Sequence, residues 1–179
     1  YTTVQRAVNL TSETNANLVP TVALQVVTSD VSRHLLALGA DPISGSSRTG
    51  SVDPLFVCWC DQENLVEWEP KSTNSAGSFR LSAGSSIVGS IRARQETLVW
   101  TDNAMYQISY VGLPYVFAPN LINEGTGLIG PNACVNTPKG VFWADLGGFY
   151  VYNGSVQLVP CSVLDYVFSD LNKTQSYKV

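Results

Sequence analysis

The stretch Gly140-Val141-Phe142-Trp143-Ala144-Asp145, followed after Leu146-Gly147-Gly148 by Phe149-Tyr150-Val151-Tyr152, decides the fold. It reads as an apolar strand closing in Trp-x-Asp, a tight turn, and a second strand of aromatic and β-branched residues. The same phrase occurs twice upstream. Leu55-Phe56-Val57-Cys58-Trp59-Cys60-Asp61 precedes Leu65-Val66-Glu67-Trp68, and Thr97-Leu98-Val99-Trp100-Thr101-Asp102 precedes Met105-Tyr106-Gln107-Ile108-Ser109-Tyr110. In each Trp strand apolar side chains occupy both faces, as in a strand sandwiched between layers.

Trp59, Trp100 and Trp143 lie 41 and 43 residues apart, close to the period of roughly 40–45 residues of β-propeller blades. A further candidate strand precedes each: His34 to Leu38, Ile87 to Ala93, and Ala133 to Asn136. The expected fold is therefore mainly β, with about three to four antiparallel meander repeats of propeller type, a set that need not close a ring. Asp61, Asp102 and Asp145 are expected to close their strands by Asx-type turns, and Gly147-Gly148 and Asn153-Gly154 to supply positive φ. Ser162-Val163-Leu164-Asp165 reads as a capping box opening a short helix over about 163–171. Its stripe of Val163, Val167 and Leu171, with Leu164 and Phe168 alongside, should pack on the adjacent repeat.

Composition narrows the function. Of 179 residues, 45% are hydrophobic and 13% charged, the charged share being about half the roughly 25% of ordinary globular chains. A polar but uncharged surface suits a chain covered by neighbours. Ten Lys and Arg against 14 Asp and Glu leave a net charge of -4, which argues against phosphate binding. No run of about 20 apolar residues and no signal peptide is visible. The chain begins at Tyr1, has a polar stretch from Thr11 to Asn17, and ends at Tyr177-Lys178-Val179, so a fragment of a larger protein is expected. Residues 1–29 read as a polar N-terminal segment with a first strand, and 30–179 as the propeller-type domain.

Cys58, Cys60, Cys134 and Cys161 form no C-x-x-C pair. Cys58 and Cys60 share a strand face at a Cα spacing of about 7 Å, too far to bridge well. Free thiols fit a reducing compartment; a Cys134–Cys161 bridge or a metal site is the alternative. No metal, cofactor or catalytic residue is expected.

The segments "LFVCWCDQENLVEWEP", "AGSFRLSAGSSIVGSIRARQETLVWTDNAMYQISYVGLPYVF" and "GLIGPNACVN…GVFWADLGGFYVYNGSVQLVPCSVLDYVFSDLN" resemble tail proteins of short-tailed phages, described as tail hub, tail nozzle or packaged-DNA stabilisation proteins. The resemblance covers about 30–175. It implies a propeller-bearing subunit in a ring, six- or twelve-fold, around the DNA exit channel, assembled in the host cytoplasm. Its partners would be copies of itself and portal or adaptor proteins, with DNA passing nearby without sequence-specific binding. It implies no catalytic residues.

Several further features bear on chemistry. The Ser72–Ser86 run, rich in Ser, Gly and Asn, reads as a long connection, either solvated or touching a neighbouring subunit through Arg80. Arg92 and Arg94 could pair with carboxylates in the same way. Gly112-Leu113-Pro114-Tyr115-Val116-Phe117-Ala118-Pro119 should leave the sheet and run over its edge, with Tyr115 and Phe117 marking an interface if exposed and plugging the repeat if not. His34, among leucines, reads as a structural histidine without a legible Ser or Cys partner. Trp143 to Phe149 resembles a sialidase Asp-box turn but lacks its leading Ser/Thr. Asn9-Leu10-Thr11, Asn153-Gly154-Ser155 and Asn172-Lys173-Thr174 are read as chance acceptor triplets. The competing function is a host-attachment propeller that binds or cleaves surface glycans, with an exposed Trp68 between Glu67 and Glu69 as its platform.

Overall fold

The computed structural model describes residues 9–172, 175 and 178. Residues 1–8 of the expected N-terminal segment, and Lys173 and Thr174 of the last acceptor triplet, lie outside the described residues. The chain is mainly β. Sheet one contains β1 (Ala23–Ser29), β2 (His34–Ala40), β5 (Phe56–Trp59) and β6 (Gly77–Arg80), in that order. The hairpin of β3 (Ile43–Ser44) and β4 (Ser47–Arg48) is inserted between β2 and β5 and forms a small sheet of its own. Sheet two runs β7 (Ile87–Arg92), β8 (Glu96–Thr101), β9 (Ala104–Gly112) and β10 (Val116–Glu124). Sheet three runs β11 (Cys134–Thr137), β12 (Gly140–Asp145), β13 (Gly148–Tyr152) and β14 (Val156–Leu158). All pairings within these sheets are antiparallel. The helix α1 (Leu164–Asp170) follows sheet three.

Side-chain alternation explains how the sheets stack. Leu36 and Leu38 of β2, with Val57 and Trp59 of β5, face Val99, Tyr106, Ile108 and Phe117 of sheet two in one buried cluster. The opposite face of sheet two places Leu98, Trp100 and Met105 against Leu128, Val141 and Trp143. Trp100 and Trp143 meet across this second interface, with ring centroids 5.5 Å apart and planes tilted by 53°. The remaining face of sheet one, bearing Ala37 and Cys58, is covered by Trp68, Val19, Leu10 and Ala16. The first strands lie side by side: Gln25 Nε2 of β1 donates to the Ser90 carbonyl of β7 at 3.4 Å, and Asn136 Nδ2 of β11 donates to the Arg92 carbonyl at 2.8 Å.

Several expectations are corrected. Leu65–Trp68 is not the strand that follows Trp59: it meets the N-terminal segment through a parallel bridge between Asn17 and Glu67, and Trp68 packs on sheet one. The strand beside β5 is β6, inside the run read as a loop. There Gly77 pairs with Trp59, and a Cβ on Gly77 would sit 2.5 Å from the indole; only glycine lets the ring lie over that backbone. Trp59 therefore stands on the third strand of its sheet, whereas Trp100 and Trp143 stand on the second. The segment after Leu113-Pro114 does not leave the sheet but returns as the edge strand β10, where Pro119 interrupts no central ladder. The helix forms, yet Val163 occupies its N-cap with no side-chain cap bond, so the capping box does not. Its half-buried stripe is Leu164, Val167, Phe168 and Leu171, with Phe168 5.5 Å from Phe149, while Val163 is exposed. The first strand expected within residues 1–29 is β1, which hydrogen-bonds to β2 and so belongs to sheet one.

Trp143→Ala would open a cavity between sheets two and three at a cost of about 3–5 kcal/mol. Urea unfolding should report a loss in that range; a loss below about 1 kcal/mol would contradict the stacking described.

Candidate functional site

Trp-x-Asp is legible in sequence, but its chemistry rests on residues far away in the chain. Asp61, two residues beyond β5, accepts from both the backbone N–H (2.8 Å) and the hydroxyl (2.6 Å) of Ser75, which precedes β6. Asp102, just after β8, accepts in the same way from Ser85 at 2.7 and 2.5 Å, before β7. Asp41, just after β2, takes Thr21 at 3.0 and 2.5 Å, before β1. In each case an aspartate leaving one strand grips a Ser or Thr entering its antiparallel neighbour. These are long-range clasps rather than the local Asx turns expected. Asp145 closes the two-residue turn between β12 and β13.

The Asp61 clasp extends into the core. Ser75 Oγ also lies 2.9 Å from His34 Nε2 and accepts from Gln62 N–H at 2.9 Å, while Trp59 Nε1 donates to the Ser75 carbonyl at 2.7 Å. The single hydroxyl proton goes to the carboxylate, so His34 Nε2 must be the protonated nitrogen and donate to Ser75. His34 is buried beneath Phe117 and Tyr110, at ring distances of 5.3 and 6.1 Å, and its Nδ1 has no hydrogen-bond partner. Burial lowers the His34 pKa, and the Ser32 backbone and the Asp61 charge oppose this only in part. The imidazole is thus neutral at pH 7. Burial works against charge at Asp61 as well, but the bonds from Ser75 and Gln62 hold its carboxyl below the usual range. A hydrolytic triad places histidine between serine and carboxylate; here the serine is in the middle and its hydroxyl is fully engaged. The relay fastens β5, β6 and β2 together. Ser75 was invisible to sequence reading because it lies 41 residues from His34.

Trp59, Phe79 and Phe117 also line a cleft of about 640 Å³ between β6 and the β9–β10 turn, closed by Pro70, Pro114 and Tyr115. Of the two aromatics expected at an interface, the structure separates one from the other. Tyr115 is 76% exposed, whereas Phe117 is buried and plugs the core. Arg80 meets a carboxylate of its own chain, Asp53, at 2.8 Å, and Arg92 pairs with Asp30 at 2.5 Å. Trp100 and Trp143, like Trp59 and Trp68, are buried. The four cysteines are free thiols, with Cys58 and Cys60 buried and Cys134 and Cys161 half-buried. Burial pushes the Cys58 thiol up to about 11 despite the Arg48 guanidinium, and Cys134 to about 11 as well. Among the described residues there is no cluster able to hold a metal ion, and no helix long and apolar enough to cross a membrane.

No protein-family model matches the sequence, and no curated protein is similar enough to count as a relative.

Stability should fall in two steps as the solution is acidified. Unfolded His34 takes up a proton below its ordinary value of 6.5 and the folded side chain does so only at lower pH, so its contribution is complete above 6.5 and lost as pH falls below it. Asp41, Asp61 and Asp102, all held below the ordinary 3.8, lose theirs as pH drops further, through the folded values. Urea midpoints measured from pH 8 to 2 should show both steps, and His34→Gln should flatten only the first. A His34→Gln profile as steep as wild type between pH 7 and 5 would refute the assignment.

Proposed function

We propose that the chain is a structural component of a short-tailed phage virion. In this reading it belongs to a ring below the portal and helps to wall the channel through which DNA leaves. The supporting observation is the stack of three consecutive four-stranded meanders, face to face, with first strands β1, β7 and β11 side by side. Successive propeller blades adopt that arrangement, with their first strands toward the central channel. We read the three sheets as blades of propeller type and the tryptophans as the bolts between them.

The electrostatics agree with a conduit. A net charge of -4 leaves little to hold phosphates, and a wall that does not grip DNA lets it slide. The partners in this reading are copies of the chain in a six- or twelve-fold ring and the portal or adaptor proteins on either side, with no cofactor. Glycan recognition rested on an exposed Trp68 between two carboxylates. Trp68 is buried, and Glu67 and Glu69 are bonded to Asn17 and Lys71, so no observation favours that reading.

Quantitative mass spectrometry of purified virions made by the genome that encodes the chain tests the proposal. Six or twelve copies per particle are expected, co-purifying with the tail after the capsid is opened. Absence of the chain from virions would refute it.

A further inference from the structure

The turn between β13 and β14 carries the chain's one Asn-Gly pair, Asn153-Gly154. Glycine has no side chain to shield its own N–H, so its nitrogen can attack the side-chain amide of a preceding asparagine. The turn leaves that route open. Asn153 and Gly154 are both exposed. The Asn153 N–H reaches the Ser155 carbonyl at a long 3.4 Å, and Gln157 Nε2 donates to Ser155 Oγ at 3.1 Å. Among the described residues the Gly154 N–H has no acceptor. Apart from its chain neighbours, no heavy atom lies within 4 Å of the place a Cβ on Gly154 would take, so the peptide has room to turn.

The surroundings are electropositive. Asn153 and Gly154 line a cleft of about 360 Å³ together with Arg94 and Lys139. Asn153 Cβ stands 3.3 Å from the place of a Cβ on Gly140, the residue after Lys139. Elsewhere the cations are engaged: Arg33, Lys71, Arg80 and Arg92 each meet a carboxylate, and Arg48 donates to the Leu18 and Asp41 carbonyls. Among the described residues Arg94 and Lys139 form no ion pair. The one carboxylate in the cleft, Glu96, accepts from the Gln107 amide, which leaves two cations against one anion.

We propose that Asn153 is a site of spontaneous deamidation, and that the carboxylate so formed becomes the counter-ion of Arg94 and Lys139. In the first step Gly154 N bonds to Asn153 Cγ and the Cγ–Nδ2 bond breaks. Ammonia leaves, carrying the proton that Gly154 gives up, and a five-membered imide remains. Solvent water then opens the ring. Attack at Cγ gives an ordinary aspartyl peptide, and attack at the backbone carbonyl carbon routes the chain through the side chain. No oxidant or reductant enters. Nearby positive charge favours both the deprotonated Gly154 nitrogen and the product carboxylate. A neutral side chain thus becomes an anion where cations lack one, by the same electrostatics that governs other charge-changing modifications. The inference is independent of the ring reading.

The test incubates the folded full chain in mildly alkaline buffer and follows each asparagine by fragmentation mass spectrometry, which reads the exchange of NH2 for OH. Conversion at Asn153 should outrun that at every other asparagine, and should be at least as fast in the folded chain as in urea. Arg94→Gln with Lys139→Gln should slow it in the folded chain and leave the rate in urea unchanged. Gly154→Ala, with folding checked by circular dichroism, should bring residue 153 down to the rate of the other asparagines. A second arm supplies the product directly through Asn153→Asp. By NMR titration the introduced carboxyl should have a lower pKa in the folded chain than in urea, and Arg94→Gln with Lys139→Gln should remove the difference. A folded chain that keeps Asn153 intact while the chain in urea converts would overturn the site. A carboxyl at position 153 that titrates alike with and without the two cations would overturn the pairing.

Discussion

Sheets one and two each carry apolar side chains on both faces, and neither can be stable with one face in water. Everything else in the structure follows from the need to cover them. Sheet one meets sheet two through Trp59 and Phe117, whose rings are 5.2 Å apart, and sheet two meets sheet three through Trp100 and Trp143. An aromatic ring at each interface supplies large buried area with few degrees of freedom to lose. The order of sheets along the chain is therefore also their order in space, and the connections between them stay short.

Stacking alone would let neighbouring strands slip in register. The clasps formed by Asp41, Asp61 and Asp102 oppose that, because each joins the end of one strand to the start of its antiparallel neighbour at a single residue. Asp41 is buried and Asp61 half-buried, and carboxylates so placed are tolerated only when their oxygens are bonded; like the exposed Asp102, each accepts at least one N–H and one hydroxyl. The His34 link adds β2 to the Asp61 clasp and fixes the loop that turns from β5 to β6. The chain thus combines an apolar stack with polar locks at its strand ends.

The sequence exposed the parts of this plan that repeat. The Trp strands β5, β8 and β12, the strands β2, β7 and β11 before them, and the terminal helix are legible because dense apolar patterning or helical spacing marks each one. The strand β6 was not, since Gly77-Ser78-Phe79-Arg80 has weak strand propensity and becomes a strand only by pairing with β5. Leu65 to Trp68 shows the reverse failure. Its apolar residues looked like a strand, but Trp68 is spent on covering sheet one. Tyr115 and Phe117 sit two residues apart and no sequence signal separates them; the positive φ at Val116 turns one outward and the other into the core. At the candidate site Trp59 and Asp61 were legible and Ser75 was not, because a clasp between distant segments leaves no local pattern.

Cryo-electron microscopy of the intact particle tests the central claim most directly, by placing the three sheets relative to the tail axis. Copies arranged as a ring beneath the portal, with β1, β7 and β11 toward the channel, are the expected result. Sheets hanging singly at the periphery of the tail would contradict that arrangement.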